Sequence, residues 1–110
     1  MTTRRYQTRP GRLAVVVADL GDLTGPVTGV VTLPNRLCWQ PCPSFDLTDR
    51  WELRHMYEIV LREAIAVREL TTWLDRELLR DLWDELYLPR GVRQAWEDRH
   101  PALCRAVAAA

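Results

Sequence analysis

Between Thr48 and Ala64 the apolar side chains recur at helical spacing. Leu53, Met56, Tyr57, Val60, Leu61 and Ala64 follow an i, i+3, i+4, i+7, i+8, i+11 series, which leaves Arg, Glu and His on the opposite face. Asp49, with Glu52 three residues on, is an N-cap arrangement that starts this helix, and Glu58 with Arg62 adds a favourable i, i+4 pair. The spacing predicts an amphipathic helix whose stripe Leu53, Met56, Tyr57, Val60 and Leu61 packs against an N-terminal β-hairpin and is mostly buried. A shorter element over 67–74 is followed beyond Asp75 by Leu78, Leu79, Leu82, Trp83 and Leu86, which two helices or one kinked helix satisfy equally. Pro89 suits the N1 position of a last helix with Val92, Ala95 and Trp96 on one face, interrupted at Pro101.

Upstream the pattern turns to strands. Leu13 to Ala18 is a continuous apolar run rich in valine, and Val27 to Leu33 places Val27, Gly29, Val31 and Leu33 on one face. The stretch from Gly21 to Pro26 between them is dense in turn residues, so the two runs predict an antiparallel hairpin. Pro34, Pro41 and Pro43 lack backbone donors, which makes 34–46 an expected irregular connector anchored by Leu37, Trp39 and Phe45. Residues 1–12 show no apolar period and are expected to form a flexible basic arm. The expected architecture is therefore one α+β domain over 13–110, with an N-terminal hairpin followed by three or four helices.

A length of 110 residues, 47% apolar and 27% charged, suits one domain with one core and argues against disorder. Fifteen basic residues, all arginine, balance fifteen acidic ones, so no net field draws the whole domain to nucleic acid or an anionic membrane. The absence of lysine reads as the mark of a GC-rich genome. No apolar run approaches the ~20 residues of a membrane span or the h-region of a secretory signal. With three cysteines, an odd number, the expected compartment is the reducing cytoplasm.

Candidate chemistry is sparse. No phosphate-binding glycine loop, Ser-His-Asp spacing or HExxH pair occurs, so no cofactor and no catalytic set are expected. His55 lies beside the polar face of the long helix and reads as a solvated histidine, and Asp81, Asp84 and Glu85 read as a wet helix face. Cys38, Cys42, His100 and Cys104 together are the ligand types of structural zinc, at a spacing that permits a site without demanding one; ordinary thiols are the preferred reading.

Among five tryptophans, Trp39 and Trp51 stand off the main apolar stripes and are candidates for a partner surface, against the alternative that they cap the hairpin from inside. A nucleic-acid surface would use Arg90, Arg93 and Gln94 of the last helix with Arg4, Arg5 and Arg9 of the arm, although Glu97 and Asp98 share that helix. The expected function is thus a non-catalytic protein-binding accessory domain, of antitoxin or adaptor type. The alternatives are a small DNA-binding regulator and, third, an enzyme of unknown type. The unpaired edges of a two-stranded hairpin further predict a homodimer.

The stretches LTGPVTGVVTLPNRLCW, MYEIVLREA and LYLPRGVRQAWEDRHP resemble small actinobacterial proteins with no established function, a likeness spanning about Leu13 to Leu103. The resemblance implies a bacterial, recurring domain with a hairpin and a helical C-terminal part, and it assigns no functional residues.

Overall fold

The long helix begins where its sequence says it should. In the computed structural model, which describes residues 7–9, 12–38 and 44–103, Asp49 accepts the backbone N–H groups of Trp51 at 2.9 Å and Glu52 at 3.2 Å. These bonds satisfy two donors that a helix N-terminus leaves open, and α1 runs from Arg50 to Glu63. Leu53, Met56, Tyr57, Val60, Leu61 and Ala64 are all buried, joined by Ile59. The 67–86 region is two helices rather than one kinked helix. α2 (Val67–Trp73) and α3 (Arg76–Leu82) are separated by Leu74 and Asp75: the extended backbone of Leu74 ends one helix, and the Asp75 carboxylate caps the next through Glu77 and Leu78 N–H. A 3-10 turn at Trp83–Glu85 and a loop lead to α4 (Arg90–Arg99).

The fold is α+β, an antiparallel hairpin followed by these four helices, but the strands pair differently from the expected 13–18 with 27–33. Gln7–Arg9 (β1) pairs with Arg12–Leu13 (β2), inside the stretch expected to be an arm. Val30–Thr32 (β3) pairs with Ser44–Asp46 (β4), placing Val30 opposite Asp46, Val31 opposite Phe45 and Thr32 opposite Ser44. The proline-rich connector therefore ends in a strand. Its prolines lie outside the three paired residues, so the ladder loses no donor.

Residues 14–18 form no strand; Val17 instead plugs the core. The chain then turns through Leu20–Asp22 and runs as a strap across the α2–α3 junction: Gly25 N–H donates to Leu74 C=O at 2.8 Å, and Thr24 and Asp75 form an isolated bridge. A Cβ on Gly25 would lie 2.5 Å from the Trp73 carbonyl carbon, so this glycine serves a close backbone approach and not the hairpin turn that its neighbours suggest. Gly29, at φ +87° in open space, is the residue whose left-handed backbone lets the chain turn into β3.

One continuous core joins the strap, β4 and all four helices. Tyr57 is fully buried, and its hydroxyl accepts the Asp75 N–H at 2.7 Å; burial raises its phenol above the ordinary range. Arg36 ties the connector to the α1–α2 corner, donating to both Glu69 carboxylate oxygens and to Glu63 C=O. Glu69 in turn accepts the N–H groups of Ile65 and Ala66. Burial alone would raise the Glu69 carboxyl, but the Arg36 guanidinium and the two amide donors outweigh it and hold it below its usual value.

Replacing Leu61 by Ala is expected to cost ~2–5 kcal/mol in denaturant unfolding, as buried leucine truncations do. Because Glu69 is held low in the folded state, its contribution is fully present above its ordinary value of 4.5 and is lost as pH falls through the lowered folded value. Arg36→Ala should therefore cost about 1–2 kcal/mol at neutral pH. The gap from wild type should shrink in acid, and chemical denaturation across pH 3–7 checks it (roughly the carboxylate range).

Candidate docking surface

The exposed side of α1 carries a continuous line of polar and aromatic side chains at positions 51, 54, 55 and 58, spaced so that they share one helix face. Trp51 is 63% exposed, and its indole stacks on the His55 imidazole with ring centroids 5.4 Å apart and planes 19° apart. His55 also meets the buried Phe45 of β4 edge-on, at 5.9 Å and 58°. The histidine thus fixes the tryptophan against the domain while leaving most of the indole in solvent. Its Nδ1 stands 3.9 Å from Glu58, whose other oxygen accepts the backbone N–H of Tyr87 at 2.8 Å. Tyr87 is 84% exposed, the most of any large aromatic among the described residues, because Leu86 and Leu88 on either side pack inward and leave the residue between them outward.

A rim of ion pairs borders this line. Arg50 reaches Glu85 through two nitrogens and Asp81 through a third, and Arg54 lies 3.8 Å from Glu85. The Arg50 hydrogen bond holds the Glu85 carboxyl below its usual range, and the guanidinium of Arg50 is pushed further up by Glu85 and Asp81. Such exposed pairs add little stability but keep two long side chains in place beside the aromatics. Exposed aromatic anchors within a polar rim are the anatomy of a protein-docking surface.

The hairpin contributes a second feature. The Asp46 N–H, on the outer edge of β4, donates to the Glu52 carboxylate at 2.8 Å, while the outer edge of β3 has no backbone partner among the described residues. Val30, on that open edge, is 68% exposed.

Of the candidates named from sequence, Trp51 lies in this surface rather than inside the hairpin. Tyr87 was not among them, although the Leu-Tyr-Leu alternation before Pro89 carried the signal. Trp39, Arg4, Arg5, Cys42 and Cys104 lie outside the described residues. Arg9 falls in β1 and Arg90 is exposed on the first turn of α4.

Arg93 is committed to the fold. Its guanidinium sits over the Trp83 ring at 4.9 Å and donates to the Trp83 and Leu86 carbonyls, closing the end of the α3 segment. Gln94 donates to Asp98 at 2.9 Å, so the outer face of α4 alternates in charge instead of presenting a basic strip. Cys38 is buried, and His100 spends Nε2 on the Val17 carbonyl at 2.7 Å. Among the described residues no group of three or more His, Cys, Asp or Glu is placed to hold a metal ion. No helix is long and apolar enough to cross a membrane, again among the described residues.

Family models, curated proteins and solved structures yield no match to the chain.

If Trp51 serves a partner rather than the fold, Trp51→Ala should change stability by less than about 1 kcal/mol, as surface substitutions do. Trp83→Ala, which empties a fully buried site and removes the Arg93 and Glu97 contacts, should cost ~3–5 kcal/mol or more. Thermal and urea unfolding of the two variants tests the contrast.

Proposed function

We propose that this chain is a non-catalytic protein-binding accessory domain, an adaptor or antitoxin-like subunit. The observation that carries this reading is the exposure of two aromatics on one side of the domain: Trp51, stacked on His55 of α1, and Tyr87, in the loop whose backbone N–H bonds to Glu58 of the same helix. An exposed indole immobilised by stacking loses little side-chain entropy on binding, which suits it to anchor an interface.

The DNA-binding alternative draws less support. Arg93 spends its donors on carbonyls of the fold and Gln94 is tied to Asp98, which leaves Arg90 as the one candidate of the last helix on the surface without such a bond among the described residues.

Affinity purification of the native chain beside a Trp51→Ala/Tyr87→Ala variant separates the readings. The protein-binding reading expects a stoichiometric protein partner on the wild type that the variant loses, and no retention of duplex DNA at physiological salt. Retention of DNA that falls steeply with salt and disappears when Arg90 is replaced would overturn it.

A further inference from the structure

The chain is neutral only as a sum. Residues 13–103 hold all fifteen carboxylates against ten arginines, whereas residues 1–12 hold Arg4, Arg5, Arg9 and Arg12 and no acid. The excess negative charge gathers where Trp51 stands. Asp46, Asp49 and Glu52 precede or flank it along the chain, and Glu58, Asp81 and Glu85 line the same side of α1. Among the described residues, the arginines seen to pair with these six carboxylates are Arg50 and Arg54, and both share Glu85.

An exposed indole bordered by unbalanced carboxylates is chemically matched to arginine. The guanidinium plane stacks on an aromatic face, and its fork binds a carboxylate through two parallel hydrogen bonds. Tyr87, across Glu58 from His55, offers a second face for the same kind of contact.

We propose that the Trp51 face docks residues 1–6 of a second copy of this chain, with Arg4 and Arg5 seated against the indole and its surrounding carboxylates. Six residues can reach about 20 Å at full extension, a length of chain available for exchange between two copies. Reciprocal exchange of the two segments makes a two-fold dimer in which each copy gives one arm and receives one. The inference rests on the reading of the Trp51 face as a protein-docking surface.

Sedimentation of the full chain at micromolar concentration, at low and high salt, tests it. A dimer that weakens with salt is expected, and Trp51→Ala and the double variant Arg4→Glu/Arg5→Glu should each weaken it about tenfold or more. The decisive result comes from mixing the two variants: one supplies an intact arm and the other an intact face, so a heterodimer with one restored contact should appear. Circular dichroism confirms that each variant is folded, and Tyr87→Ala replaces Trp51→Ala if the latter is not. A strictly monomeric chain overturns the proposal, as does a dimer indifferent to both variants, which would move self-association to the open edge of β3. Either failure leaves the docking reading intact if the Trp51→Ala/Tyr87→Ala chain still loses its heterologous partner.

Discussion

The backbone between α2 and α3 turns around the buried Leu74, and the groups that pair with its polar atoms come from the strap and from α1. Thr71 C=O takes the Thr24 N–H, Leu74 C=O takes that of Gly25, and Arg76 N–H finds Leu23 C=O. The Asp75 N–H is met by the Tyr57 hydroxyl coming from α1. Leu74 is buried at this corner, and an unpaired buried backbone group costs on the order of 1–3 kcal/mol, so the bond from Gly25 to its carbonyl matters most. The strap over 23–25 and the central tyrosine are in this sense what joins two seven-residue helices at a tight corner. With that corner closed, α1 is pinned along its length, and its opposite side is left to face solvent.

The helices were legible from spacing because one periodic stripe decides both the element and its buried face. Asp49 and Asp75 marked the two sharpest starts, each by a side chain that can bond only locally. The strands were less so. A three-residue strand carries too little alternation to distinguish it from an extended strap, and the valines of 13–18 satisfy a burial requirement without pairing. Gly25 misled for a physical reason: glycine marks a tight turn and a close backbone approach alike, and only the position of Trp73 tells which.

The surface shows the same limit. Trp51 stood out as an aromatic off its helix's apolar stripe, but the stacking by His55 depends on a contact with Phe45 that spacing does not contain. Arg93 illustrates the converse. On a helical wheel it belongs to the polar face, yet its guanidinium folds back to close the Trp83 and Leu86 carbonyls. Net charge was the least informative summary of all, since it averaged an acidic folded body with a basic leading segment.

Glu52 performs an act unrelated to the helix it belongs to. By occupying the Asp46 N–H it works as a terminator on one side of the β3–β4 hairpin. A sheet grows only where consecutive donors and acceptors stand open, and here one border is stopped by a charged oxygen that repels an incoming carbonyl. At Asp46 the outer edge of β4 is closed, its N–H taken by Glu52 and its C=O by the Asp49 N–H. A carboxylate one turn into a helix thus blunts the sheet edge at the point where the strand hands over to that helix.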